Sequence, residues 1–256
     1  MNETPRDRPF DAIRSALGSE IDPLDGEPNI GLRLDFSRRA RTGIPEVVLA
    51  EHKTDEQVRE ALVRLASANG RSMAARCRPE TLAFLHDALS AEWTVFADPS
   101  LRTVIVATPG VVVPSSGGRV TIIAAGTSDL AVAGEARTMA TEMGCDVVAI
   151  NDVGVAGLHR LVRPLERAMA EGCHVVVVAA GMDGALPSVV AGLIDVPVIG
   201  LPTSIGYGHG GRGEAALATM LQSCSPGLVV VNIDNGIGAG AAAALIANTS
   251  ARNRPK

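Results

Sequence analysis

Hydrophobic and polar positions give the chain two textures joined by a break. Residues 1 to about 30 are rich in Asp, Glu, Pro and Arg, with one short amphipathic stretch from Phe10 to Leu17. They predict a mobile tail containing one helix. From Leu32 to about Val113 the pattern alternates without a repeating unit. Glu46 to Glu51 predicts a strand. Thr54-Asp55-Glu56-Gln57 is a capping-box signature, and Val58, Ala61, Leu62 and Leu65 follow on one helical face until Gly70 stops the helix. A second helix is expected over Thr81–Leu89, and strands over Trp93–Ala97 and Thr103–Ala107. Pro114-Ser115-Ser116-Gly117-Gly118 then interrupts all periodicity. The expected organisation is a tail (1–30), a small α+β domain (31–113), an α/β domain (119–247) and a C-terminal tail (248–256).

Beyond the break, Val120–Ala125, Asp146–Asn151, His174–Ala180, Val196–Leu201 and Gly227–Ile233 are short apolar, β-branched runs. Helix-length segments separate them: Leu130–Met143, Ala156–Glu171, Leu186–Leu193 and Glu214–Gln222. This β-α-β alternation predicts a parallel sheet covered on both faces, with right-handed crossovers. The last run leads into an Ala-rich helix whose many small residues imply close packing, of backbone on backbone or of one subunit on another.

Composition sharpens this picture. The 256 residues are 46% hydrophobic but only 2% aromatic, so the core is built from Val, Ala, Leu and Ile, the usual filling of a buried parallel sheet. A formal net charge of -5 argues against nucleic-acid binding, which needs a basic face to displace counterions. Met1 to Phe10 has no apolar signal-peptide core, and the longest apolar run, around Val175–Ala180, is too short to cross a membrane. Cys77, Cys145, Cys173 and Cys224 are widely spaced, without a CxxC pair. Neither a disulfide framework nor a zinc site follows, and a reducing, cytoplasmic location is expected.

In open α/β sheets ligands bind beyond the carboxyl ends of the strands, and the unusual residues stand there. After the first run come Gly126, Thr127, Ser128 and Asp129, equally a helix cap and a phosphate cradle. After the second come Asp152, Gly154, Gly157, His159 and Arg160, a proton carrier beside an anion clamp or a surface helix start. After the third, Gly181, Met182 and Asp183 put a carboxylate at the mouth of the sheet, as a base or as a cap. After the fourth, Ser204, Gly206, Tyr207, Gly208, His209 and Arg212 form a glycine-rich lid. Gly206, Gly208 and Gly211 match GxGxxG, but three residues separate the strand from the first glycine and the unit is the last in the chain, which counts against a dinucleotide fingerprint. After the fifth come Asn232, Asp234 and Asn235.

Together these segments resemble the LarB family of nickel-pincer cofactor biosynthesis. The resemblance runs from Leu34-Asp35-Phe36-Ser37-Arg38-Arg39 and His52-Lys53-Thr54, through the Gly126, Gly154, Gly181 and Pro202 segments, to Ser223-Cys224 and Asn232-Ile233-Asp234-Asn235-Gly236. It spans roughly residues 32–247, and its motifs are specific in combination and weak singly. The second half is also similar to PurE, the aminoimidazole ribonucleotide carboxylase. That likeness implies a flavodoxin-like three-layer α/β/α sandwich, with a smaller N-terminal α+β domain added, assembled as a homo-octamer. Where PurE has Met after its Ser-Asp pair, this chain has Leu130.

The LarB resemblance implies carboxylation of nicotinic acid adenine dinucleotide at ring C5 with CO2. It also implies hydrolysis of the phosphoanhydride, giving pyridinium-3,5-biscarboxylic acid mononucleotide and AMP. It carries Cys224 over as nucleophile and Asp183 as base, at a position where the family usually has Glu; His159 joins them as a catalytic candidate. The substrate-binding set it suggests is Gly126 to Asp129, Asp152, Arg160, Gly181, Met182, Ser204, Gly206, Tyr207, Gly208, Asn232, Asp234 and Asn235. A pyridinium ring is electron-poor, so a thiolate has to add before C5 becomes nucleophilic. Arg160, Arg212, Arg38, Arg39 and Lys53 are candidates to neutralise phosphate charge. No tightly bound cofactor is expected; a divalent metal such as Mg2+ is an option, with Asp129 and Asp152 to hold it. The expected partners are therefore the dinucleotide, CO2 and further copies of the chain, through the small-residue surface after Asn235. The alternatives are a PurE-like purine carboxylase and a non-catalytic nucleotide-binding module.

Overall fold

Thr54 opens the first long helix as its sequence predicts: Thr54 Oγ1 accepts from Gln57 N at 3.2 Å, and Thr54 N donates to Gln57 Oε1 at 3.1 Å. The computed structural model describes residues 32–253, so the helix expected around Phe10–Leu17 lies outside the described residues. The chain divides into two compact units, Met1–Val111 and Val112–Lys256.

The first unit contains α1 (Arg38–Thr42), β1 (Val47–Leu49), α2 (Asp55–Asn69), β2 (Arg71–Ala75), α3 (Pro79–Leu89), β3 (Thr94–Asp98) and β4 (Thr103–Ala107). The strands form one mixed sheet in the order β1-β2-β4-β3, with β1 parallel to β2 and the other pairs antiparallel. Helices α2 and α3 bury Val58, Leu62, Leu65, Leu82 and Leu85 against Val48, Ala74, Val104 and Val106; each such Leu contributes about 2 kcal/mol. Strand β2 has no counterpart among the sequence expectations. Arg71-Ser72-Met73-Ala74-Ala75 contains no β-branched residue and follows a helix stop directly, so its local pattern is silent. Pairing on both edges makes it a strand, and Ser72, buried there, bonds back to Leu62 O at 2.8 Å.

The second unit contains β5 (Arg119–Ala124), α4 (Leu130–Glu142), β6 (Asp146–Asn151), α5 (His159–Ala170), β7 (Val175–Ala180), α6 (Leu186–Ala191), β8 (Val198–Pro202), α7 (Glu214–Leu221), β9 (Leu228–Val230) and α8 (Gly236–Arg252). One-turn 3-10 helices at Thr127–Asp129 and Val155–Gly157 lead into α4 and α5. All five strands are parallel, in the order β6-β5-β7-β8-β9. That is the flavodoxin-like order, which reverses direction between β5 and β7. Leu161, Leu165, Leu186, Val190, Ala216 and Met220 of α5, α6 and α7 pack with Ile123, Ile150, Val176 and Val178 of the sheet. Helices α4 and α8 take the other face. The three-layer fold expected from the resemblance is therefore present.

Two expectations need correction. The last strand is Leu228–Val230, shorter than Gly227–Ile233, because its register with β8 covers only Val198 to Gly200. Part of the small-residue stretch after Asn235 packs within the chain, on α4. A Cβ on Gly236 would strike Val132 O and one on Gly240 would strike Ala136 O, so these glycines let α8 sit directly on the backbone of α4. Ala239, Ala243, Ala244 and Ala247 are buried there too. Helix α8 also continues to Arg252, into the segment expected as a tail.

Candidate functional site

A cavity of about 880 Å³ opens beyond the carboxyl ends of the parallel strands. Four strand exits line it: Ala125, Gly126, Ser128 and Asp129 after β5, Gly154 to Ala156 after β6, Gly181 to Asp183 with Ala185 and Leu186 after β7, and Ser204 to Tyr207 after β8. It spans the point where the strand order reverses, the usual ligand position in this topology. A smaller hollow of about 300 Å³ lies at the amino ends, lined by Arg119, Asp146, Glu171 and Cys173. No strand exit reaches it, so we place the candidate site in the larger cavity.

The cavity walls are largely apolar. Met182, Ile205, Val155 and Tyr207 expose side chains there, and Tyr207, the chain's single tyrosine, is 81% exposed. Its polar groups are Ser128, Ser204 and the carboxyls of Asp129 and Asp183. Asp183 is exposed, and its Oδ1 accepts only a long 3.4 Å bond from Ala185 N, so it is open to act on a ligand. Asp129 is different. It is 4% exposed, Oδ1 accepts from Thr203 Oγ1 at 2.6 Å and Oδ2 from Gly126 N at 2.8 Å. Burial pushes its carboxyl above the ordinary range, against the pull of those hydrogen bonds. A phosphate has no free hydrogen-bond donor to meet on this side chain.

The structure divides the remaining candidates. Gly126, Ser128, Gly181, Met182, Asp183, Ser204, Gly206 and Tyr207 line the cavity, whereas Thr127 and Gly208 do not. Arg160 is committed to Asp152 through a 2.6 Å ion pair between exposed side chains, and His159 is exposed in the first turn of α5; none of the three lines the cavity. Asp234 Oδ1 accepts from Ser204 N at 2.8 Å, and Asn235 caps α8 by accepting from Gly238 N at 2.9 Å. Asn232 bonds its own neighbour, Ile233 N, at 2.9 Å. These three support the β8 exit and the start of α8 and are not cavity walls. In the other unit, Arg38 pairs with Glu46 at 2.9 Å.

Two features of the expected chemistry are not assembled within one chain. Cys224 lies in the turn that brings the chain from α7 into the amino end of β9, beside Ser225, whose hydroxyl donates to Ser188 O at 2.9 Å. It is exposed and does not line the cavity with Asp183. The four cysteines nonetheless sort clearly: burial pushes the Cys77 thiol up to about 12 and raises that of Cys145, while Cys224 is the exposed one. No lysine, arginine or histidine among the described residues of the second unit lines the cavity. Nor do Asp129 and Asp152 form a metal site. The oxygens of one are bonded internally and the other is paired with Arg160, and no group of three or more His, Cys, Asp or Glu among the described residues could hold a metal ion.

Sequence reasoning missed Thr203. It is completely buried and holds Asp129, yet reads in the sequence only as the residue after a strand. The Pro202-Thr203-Ser204 run was itself the available signal, since a hydroxyl residue at a strand exit has to find a partner once buried.

Comparison with known proteins agrees with this architecture. Residues 119–255 match the AIR carboxylase family, and residues 30–105 match the LarB/PurE-like N-terminal domain. The chain is also similar to "Uncharacterized protein MJ0165" of Methanocaldococcus jannaschii, 42% identical over 220 residues that cover 84% of each chain.

Proposed function

The chain belongs to the LarB family, with a PurE-like carboxylase domain, and from that premise we propose that it carboxylates nicotinic acid adenine dinucleotide and hydrolyses its phosphoanhydride. The observation that carries this reading is the cavity at the sheet's reversal point, with an exposed tyrosine and apolar walls suited to a planar ring and one open carboxylate, Asp183, to take a proton.

In this mechanism the Cys224 thiolate adds to C4 of the pyridinium, and the ring becomes an enamine with its electron density at C5. C5 attacks CO2, forming the carbon–carbon bond and leaving an iminium. Asp183 removes the C5 proton, and expulsion of the thiolate restores aromaticity. The net change is replacement of a C5 hydrogen by a carboxylate, with one proton released. Water then cleaves the phosphoanhydride to give AMP and the biscarboxylated mononucleotide. Because Cys224 does not line the cavity with Asp183, this reading has a neighbouring copy bring it, and so a homo-oligomer.

The test combines product analysis with chain mixing. With the dinucleotide and labelled bicarbonate, the protein should yield AMP and labelled mononucleotide, and Cys224→Ala should abolish labelling. Oligomers co-expressed from Cys224→Ala and Asp183→Asn chains should regain activity that neither variant shows alone. Normal carboxylation by Cys224→Ala would overturn the covalent mechanism. A second reading, carboxylation of aminoimidazole ribonucleotide, is supported by the AIR carboxylase match; the same assay with that substrate separates the two. No helix among the described residues is long and apolar enough to cross a membrane.

A further inference from the structure

The wall contributed by the β8 exit, Ser204 to Tyr207, belongs to no helix or strand, so its position depends on individual bonds. Thr203, fully buried, donates its hydroxyl to Asp129 Oδ1 at 2.6 Å, and Asp129 Oδ2 accepts from Gly126 N at 2.8 Å. One buried side chain thus joins the exits of β5 and β8. A second tie reinforces the first, since Met182 N donates to Ile205 O at 2.8 Å. The approach is so close that a Cβ on Gly181 would strike Ile205 O and lie 2.7 Å from Thr203 Oγ1.

We propose that Asp129 and Thr203 are positioning residues, whose hydrogen bond fixes the cavity wall made by the strand exits while neither side chain contacts the ligand. A carboxylate is the right acceptor for this purpose, because hydrogen bonds to a charged group are roughly twice as strong as neutral ones. It can also serve two exits at once through its two oxygens. Both oxygens are already engaged by these bonds.

Amide exchange of the ligand-free protein tests this, and its outcome is independent of the substrate proposed above. The Met182 amide should be protected in the wild type. Thr203→Val, nearly the same shape but without the donor, should speed its exchange at least tenfold more than that of the β5 and β7 amides. Thr203→Ser, which keeps the hydroxyl, should restore wild-type protection. Unchanged Met182 exchange in Thr203→Val would overturn the proposal. So would uniform acceleration across β5 and β7, because the bond would then serve the core and not the wall.

Discussion

The two ends of the parallel sheet turn the chain by different means. At the amino ends, the turns feeding β6 and β9 place Gly144 and Gly227 in the left-handed region, at φ +88° and +89°, where glycine has no Cβ to clash. At the carboxyl ends the chain enters the same region with side chains in place: Asp152 after β6, Met182 after β7 and Asp234 after β9, at φ 57°, 47° and 55°. Such a residue costs on the order of 1–2 kcal/mol. Aspartate can offset part of this through hydrogen bonds, as Asp234 does by accepting from the distant Ser204 N. Methionine has no such compensation, and Met182 stands half-exposed on the cavity. The amino end places only glycines in the left-handed region, whereas the cavity end uses glycines and also keeps Asp152, Met182, Arg212 and Asp234 there at a cost. Strain retained in this way is a mark of function.

The largest effect that would break this contrast is chemical. Asp183→Asn should slow carboxylation of nicotinic acid adenine dinucleotide by roughly 10²- to 10⁴-fold, the range for loss of a general base. Its urea midpoint should barely move, because the side chain is exposed. The same change at the amino end, Asp146→Asn, should leave the rate near wild type. Equal rate losses at both ends would remove the distinction between them.

Stability effects come next. Gly144→Ala combines a disfavoured φ with a Cβ 2.6 Å from Pro114 O, so it should destabilise by roughly 2–3 kcal/mol in urea unfolding. Gly227→Ala meets no atom within 4 Å and should lose only about 1 kcal/mol, from the backbone alone. Met182→Gly should go the other way, gaining up to about 1 kcal/mol while weakening dinucleotide binding measured by calorimetry. A destabilised Met182→Gly would show that its side chain serves packing and not the cavity.

The smallest expected effect is in pH dependence. Asp129 has its carboxyl raised by burial, so its contribution to stability is fully present below the ordinary value of 3.8 and is lost as pH rises through its higher folded value. Asp35 in the first unit is lowered, chiefly by its hydrogen bond from Arg41; its contribution is present above 3.8 and lost as pH falls through its folded value. On acidification from neutrality, the second unit should therefore gain from Asp129 before the first loses from Asp35. Trp93 fluorescence would follow the first unit and amide exchange the second. Asp129→Asn should remove the gain, and Arg41→Ala the loss.

Much of this could be read in advance. The Thr54–Gln57 cap, the stop at Gly70, the strand at Thr103–Ala107 and the β-α alternation after Gly118 all stand where local patterns put them. Of the residues expected at the strand exits, Ser128, Asp183, Ser204 and Tyr207 all line the cavity. What could not be read was β2, which has no strand-forming composition, and the roles of Asp129 and Thr203. Asp129 looks like a ligand-facing group, and Thr203 like an ordinary residue after a strand, until burial shows that they bond each other.

By itself the sequence determined the elements, their caps and the kinds of residue offered at each strand exit, because periodicity and capping act over a few neighbouring residues. The tertiary structure alone decided the strand order that opens the cavity between β5 and β7. It also decided the pressing of Gly236 and Gly240 onto α4, and the placement of Cys224 away from Asp183 within one chain. These outcomes depend on pairings between residues far apart in sequence, and no local pattern of apolar and polar positions encodes which strand lies beside which.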